Sequence, residues 1–343
     1  MSTNITDSFN AILDKIIEDD QGKFDFRCKL SDIKLDLEAN ALDRKFIING
    51  SSEYAGLIYT DFIATSNSYG QIMNRFNIPA AYAIKVPPTL LEPHFEYFKK
   101  KATEANPDKE IFVRAKNQSD GTVTLRAVLS DRYATLDNKH VVSEFKSALE
   151  GVAYTVKDYH ITEDMFNARI VLDDCCVDGG IGPDGKPNKF YAGLHIINGE
   201  TGNYPASLEL IIYEQWCTNG CVRRFDSKAI FARRHIGEAD LISEFRLAIA
   251  KAMINAQESI QMLLETKSQT FPDPLMKLND VMDRDRRLFS EEVRPKVIEA
   301  WESRPEPTKY GIISAITQTA QIFDYERRLE FERFAGKLMG ARI

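Results

Sequence analysis

Apolar residues recur at helical spacing towards both ends of the chain and alternate with polar ones in its middle. Between residues 5 and 20, Ile5, Phe9, Ile12, Leu13, Ile16 and Ile17 fall three or four positions apart, which predicts an amphipathic helix docked on the body. From Phe46 to Tyr59 the pattern reads as short strands around Asn49-Gly50, a hairpin-turn dipeptide, followed by helix from about Thr60 to Arg75. Pro79, Pro87, Pro88 and Pro93 punctuate shorter helices near 80–85 and 90–103.

The middle of the chain is strand-rich. Ile111–Ala115 and Thr122–Leu129 flank Ser119-Asp120-Gly121, which has the turn chemistry of a hairpin. Val152–Ile161 pairs with Ala168–Leu172, and Lys189–Ile197 with Ser207–Tyr213. From Ala239 to Lys267 the pattern turns helical, with Ile242, Phe245, Ile249, Ala252 and Met253 in register, and the remainder to Ile343 reads as helix. Strands gathered together and helices gathered together indicate an α+β fold: a central antiparallel β-rich region flanked by N-terminal helices and followed by a C-terminal helical region. The expected divisions are 1–105, mixed α/β; 106–237, the β-rich core; and 238–343, helical, all of which fit one compact domain as well. A soft boundary is expected near Thr266 to Pro274, and no internal repeat is visible.

Composition narrows the class. Hydrophobic residues make up 43% and charged residues 28% of 343, so a substantial core is expected and little disorder. The N-terminal residues lack a basic stretch leading into an apolar run, and no segment approaches the roughly 18 apolar residues of a membrane helix, so a cytoplasmic protein is expected. Five cysteines, an odd number, point to reduced thiols rather than a disulfide framework. A net charge of -7 argues against coating duplex DNA through an overall positive field, leaving a local patch as the place for any nucleic acid.

Several motifs resolve into ordinary structure. Residues 180–187, Gly-Ile-Gly-Pro-Asp-Gly-Lys-Pro, approach a phosphate loop on paper. Such a loop needs a helix behind it, whereas a strand follows here and Pro187 supplies no hydroxyl, so a flexible hairpin loop is expected. Cys175, Cys176, Cys217 and Cys221 lack the paired spacing of a structural zinc site and read as free thiols. No nucleophile elbow, H-E-x-x-H or C-x-x-C is present, and the acidic pairs Asp173-Asp174 and Asp283/Asp285 read as solvated surface. The exception is residues 221–236. Arg223, Arg224, Lys228, Arg233 and Arg234 stand there against Asp226 alone, five cations against one acid, with Phe225 and Phe231 between them. Cations interleaved with rings suit single-stranded nucleic acid; a hairpin whose arginines pair with acids elsewhere in the chain is the competing reading.

Four blocks carry a family resemblance. Residues 126–133 (Arg-Ala-Val-Leu-Ser-Asp-Arg-Tyr) with Leu136-Asp137-Asn138, then 197–202 (Ile-Asn-Gly-Glu-Thr-Gly), Trp216-Cys217-Thr218-Asn219-Gly220, and Arg233-Arg234-His235-Ile236-Gly237 resemble, in order, segments of the DUF932 family of phage and plasmid proteins. Two departures stand out: Gly199 occupies the place of a serine, and Cys221 that of a hydrophobic residue. The resemblance implies a mobile-element setting, such as DNA recombination, replication or host takeover.

Together these readings nominate Arg126, Arg132, Tyr133, Asn219, Arg223, Arg224, Phe225, Lys228, Arg233, Arg234 and His235 as contacts for single-stranded nucleic acid. The protein expected is a homo-oligomeric binder, in annealing, recombination or replication, with no cofactor, metal or catalytic residue. Equally, Glu200, Asp131 and Asp137 could neutralise those arginines in a structural network. Two alternatives remain open: a metal-assisted nuclease using Asp131, Glu200 and His235, and an interaction protein whose helices between Tyr310 and Leu338 form the partner surface.

Overall fold

Alternating apolar side chains build two separate sheets, each closed by its own helices. The computed structural model describes residues 9–39, 44–48, 61–104, 106–181, 187–214, 230–235 and 241–343. The first sheet comprises β1 (Lys23–Lys29), β2 (Ile33–Leu35), β3 (Lys45–Ile48), β4 (Phe62–Ala64), β5 (Glu110–Asn117) and β6 (Val123–Ser130), in the order β1-β5-β6-β4-β3-β2. Only β4 and β6 run parallel. Helices α2 (Ser66–Arg75) and α4 (Pro88–Glu104) seal one face, where Ile72, Met73, Phe76, Leu91 and Phe95 meet Phe46 and Phe62. Between these two helices lies the short α3 (Ala80–Ala83).

The second sheet is antiparallel throughout. Its strands are β7 (Tyr154–Ile161), β8 (Phe166–Ile181), β9 (Pro187–Asn198), β10 (Ala206–Glu214) and β11 (Phe231–Arg233), in the order β11-β10-β9-β8-β7. Phe166, Ala168, Ile170, Leu194, Ile196, Leu208 and Leu210 face a core completed by helix α6 (Leu241–Glu265) through Phe245, Ile249, Ala252, Ala256, Ile260 and Leu263. Ala252 and Ala256 have no exposed surface, and their small side chains let the helix approach the sheet closely. Helix α1 (Phe9–Asp19) joins this core through Phe9, Ile12 and Ile16. Helices α5 (Asn138–Ala148), α7 (Pro274–Met282), α8 (Arg294–Ser303), α9 (Lys309–Ala320) and α10 (Tyr325–Gly340) complete it.

The opposite face of this sheet carries a buried polar row beside the apolar cluster Val171, Ile211 and Tyr213. Arg169, His195 and Glu209 form one cross-strand row, covered by α10. Glu332 accepts from Arg169 at 2.9 Å, Arg333 donates to Glu209 at 2.8 Å, and the Tyr325 hydroxyl lies 2.7 Å from His195 Nε2. The stretch expected to offer a partner surface, Tyr310 to Leu338, spends Tyr310, Ile312, Ile313, Ile316, Phe331 and Leu338 inside the molecule instead.

The α+β class and the strand-rich centre are as the pattern predicts. Two differences are physical. The described strands between Glu110 and Arg233 are divided between the two sheets, because β5 and β6 pair with β1 and β4 rather than with the strands that follow. The helix expected from Thr60 starts at Ser66: Phe62 and Ala64 alternate into the core as β4, and Thr65 Oγ1 then accepts the Ser68 N–H to cap α2. The Asn49-Gly50 turn lies outside the described residues. Cys28, Cys175 and Cys176 are free thiols, and burial pushes Cys28 up to about 12. Among the described residues no helix is long and apolar enough to cross a membrane.

Candidate functional site

The two sheets are tied together by the β9–β10 connection. Glu200, 2% exposed, sits at its centre. Its Oε2 accepts from Lys23 at 3.1 Å and from Arg126 Nη2 at 2.9 Å, and its Oε1 accepts the Asn138 N–H at 2.8 Å, at the first turn of α5. The Glu200 backbone carbonyl accepts from Arg114 Nη1 at 3.1 Å and from the Tyr133 hydroxyl at 2.9 Å. Arg114 also donates to Asp25 and, at 2.6 Å, to Asp137. Burial alone would raise the Glu200 carboxyl, but Lys23, Arg126, the Asn138 N–H and Arg114 outweigh it and hold it at about 2.

This network corrects two sequence expectations. Arg126, 2% exposed and shared between Glu200 and Glu163, is already neutralised and is not presented to a phosphate. Tyr133 is not a free stacking platform. Its ring stacks on Phe112 (centroids 5.8 Å apart) and on His235 (5.3 Å, 4° between planes), and its hydroxyl is spent on the Glu200 carbonyl. Phe231, nominated as another stacking ring, is buried edge-on against Phe245 in the second core.

His235 is 3% exposed, and among the described residues neither ring nitrogen has a hydrogen-bond partner. Burial lowers its pKa to about 4, so it is a neutral ring at pH 7 rather than a cation for phosphate. Arg233 is exposed and held by Glu244 at 2.8 Å. Arg132 and Arg234 are exposed, and among the described residues no carboxylate pairs with either. Asn219, Arg223, Arg224, Phe225 and Lys228 lie outside the described residues.

Tyr133, Arg234 and His235 come together at the wall of a cavity of about 660 Å³. The rest of the wall is supplied by α2, by the end of β6 and by residues 202–205 just after Glu200. Gln71 braces it, donating to the Thr201 carbonyl at 2.8 Å and accepting the Val128 N–H at 2.7 Å. Tyr204 is fixed by a 2.6 Å hydrogen bond from its hydroxyl to Glu326 on α10. Gly202 adopts φ +81°, a conformation L side chains resist, and a Cβ there would meet Leu129 Cδ2 at 2.7 Å. Among the described residues no Asp or Glu lines the cavity, although the protein as a whole carries -7.

Arg75, on the last turn of α2, is the residue that sequence reasoning missed. Its Nη2 donates to the Val128 carbonyl at 3.0 Å, its Nε is buried without a partner, and among the described residues no carboxylate lies within ion-pair distance. The buried arginines Arg114, Arg126 and Arg169 each rest on at least one carboxylate. Arg75 is thus the partly buried guanidinium whose charge the cavity leaves open, and burial presses its pKa down. No motif marks it; the only local signal is that Gln71 and Arg75, four apart, share a helix face.

The residues of the nuclease reading are disposed differently. Glu200 has both carboxylate oxygens committed inside the network, Asp131 is exposed, and His235 lines the cavity. Among the described residues no group of three His, Cys, Asp or Glu side chains could hold a metal ion. The phosphate-loop look-alike is followed by strand β9 rather than a helix, so the helix N-terminus it would need is missing; residues 182–186 lie outside the described set.

No family model, curated protein or solved structure matches the chain.

Proposed function

We propose that the chain binds single-stranded nucleic acid through the face around this cavity, as a non-catalytic factor of the phage and plasmid type that the four sequence blocks resemble. The observation carrying this reading is the local reversal of charge. In a protein of net charge -7, the described residues line the cavity with Arg75 and Arg234 and with no acid. Arg132, also without a carboxylate partner among the described residues, follows β6, whose end lines the cavity, and the basic run Arg223 to Lys228 precedes β11 in the chain. Cations left open in this way are what phosphate recognition requires, whereas the neutralised Arg126 and Arg233 contribute framework.

The test is binding of a fluorescent single-stranded oligonucleotide between about 50 and 200 mM salt. With three phosphates neutralised by Arg75, Arg132 and Arg234, a slope near −0.7 per phosphate predicts a fall of about 20-fold over that range. Arg132→Ala/Arg234→Ala should lower affinity and reduce the slope by about 1.4. Binding that ignores salt, or no binding at low salt, refutes the reading, and cleavage of the oligonucleotide would favour the nuclease instead.

A further inference from the structure

Resting on that reading but going beyond it, we infer that the cavity is a site for one nucleoside monophosphate unit, with Arg75 as its phosphate-recognising residue and Tyr204 as its ring-contacting wall. The ligand class follows from what the wall offers and what it lacks. Arg75 and Arg234 are two guanidinium groups on a wall to which the described residues contribute no acid, with Asp131 near Arg75 but beyond ion-pair distance, and such a wall selects an anion. Arg75 is held in place before any ligand arrives, since its Nη2 is bonded to the Val128 carbonyl and its Nε is buried. A preset guanidinium loses little freedom when an anion binds.

An inorganic anion alone would leave most of a space of about 660 Å³ unfilled, and this volume lies within the roughly 300–1,000 Å³ range of small-molecule sites. The remaining wall is suited to a planar polar group. Val128, Leu129 and the half-buried Tyr204 ring give apolar surface; the Asn74 amide stands at its edge, as does that of Asn203, whose NH₂ already donates to Asp164 at 3.0 Å and whose carbonyl oxygen can accept. Tyr204 is immobilised through Glu326 and Gln71 through Thr201 and Val128, so the wall is built rather than collapsible. A base and sugar attached to the phosphate match this combination. The same unit can arrive as a free nucleotide or as the phosphorylated end of a strand.

The experiment is calorimetric titration of the full chain with AMP, CMP, adenosine and inorganic phosphate, followed by displacement of the bound nucleotide by 5′-phosphorylated and 5′-hydroxyl oligonucleotides. AMP or CMP should bind, with adenosine and phosphate at least about tenfold weaker, since each supplies one half of the recognition. Arg75→Gln should weaken nucleotide binding by about tenfold or more. Because Arg75 also braces Val128, Ser130→Phe is the second variant: it places a ring in the cavity from the end of β6, should abolish nucleotide binding, and should unfold at the wild-type temperature. Displacement by the 5′-phosphorylated strand alone identifies the strand end as the source; failure of both strands to displace identifies the free nucleotide. If oligonucleotide binds with the expected salt dependence but neither nucleotide does at millimolar concentration, this inference fails and the strand-binding reading stands. If neither class binds, both fall. Nucleotide bound equally well by Ser130→Phe lies outside the cavity and overturns the inference.

Discussion

Replacing Glu200 with Gln tests whether the junction between the sheets is electrostatic in origin. The substitution keeps the side chain's shape and lets its oxygen still accept the Asn138 N–H, but it turns an NH₂ towards Lys23 and Arg126, two donors that now face a third. The magnitude follows from the carboxyl's displacement from 4.5 to about 2, which corresponds to about 3 kcal/mol of preference for the charged form in the fold. Removing one partner of a buried ion pair typically costs about 3–5 kcal/mol, so the two routes agree. Sign matters here. A depressed carboxyl contributes fully above its unfolded value of 4.5 and loses that contribution as pH falls towards 2. The deficit of Glu200→Gln relative to wild type, measured by urea unfolding, should therefore be about 3 kcal/mol at pH 7 and shrink to about 1 kcal/mol at pH 3. A double-mutant cycle with Arg126→Met should return a coupling above about 1 kcal/mol. A deficit below about 1 kcal/mol at pH 7, or one of the same size at pH 3, would refute the argument that charge rather than shape holds the junction.

Two further outcomes are expected. His235 is held neutral by burial with a pKa lowered from 6.5 to about 4, so its contribution is complete above 6.5 and lost as pH falls towards 4; relative to His235→Phe, which retains a ring over Tyr133, wild-type stability should drop by about 3 kcal/mol across that window, and a pH-independent difference would show that the imidazole is hydrated in the fold. Gly193 lies on β9 where a Cβ would approach the Ile170 carbonyl oxygen to 2.1 Å and Ile211 Cγ1 to 2.9 Å, so Gly193→Ala should lower the unfolding free energy by about 1–3 kcal/mol, and an unchanged urea midpoint would contradict the packing.

What the sequence disclosed, and what it hid, depended on how local each signal is. The strand pairs between Tyr154 and Glu214 and the long helix from Leu241 are legible because their apolar residues recur over long stretches, the strands despite register shifts after Val156 and Val171. Strand β1 does alternate, with Phe24, Phe26 and Cys28 separated by Asp25 and Arg27. Its polar members make sense only once Asp25 meets Arg114 and Arg27 meets the Asp131 carbonyl, some ninety to a hundred residues away. Helix α5 has Asp137 at its N-cap and Val141, Val142, Phe145 and Leu149 on one face, yet its β-branched pair sits in a strand-rich stretch and the pattern there assigns it no element.

The arginines illustrate the same limit more sharply, and they also explain why the cavity lies where it does. From sequence, Arg126, Arg132, Arg233 and Arg234 are equivalent cations; in the fold, each is defined by whether a distant carboxylate reaches it. Glu200 and Glu163 reach Arg126, and Glu244 reaches Arg233, whereas among the described residues no carboxylate pairs with Arg132, Arg234 or Arg75. The connection that delivers Glu200 to Arg126 is the one whose next residues, Gly202 to Pro205, wall the cavity beside Arg75 and Arg234. Fixing that turn with the carboxylate inward consumes the Glu200 acid at the junction, while the following residues Asn203 and Tyr204 are tied to Asp164 and Glu326 and wall the cavity beside the two arginines. The buried network and the open positive cavity are therefore two sides of one placement, and a substitution that loosens Glu200 should blunt ligand binding at the cavity even though Glu200 touches no ligand.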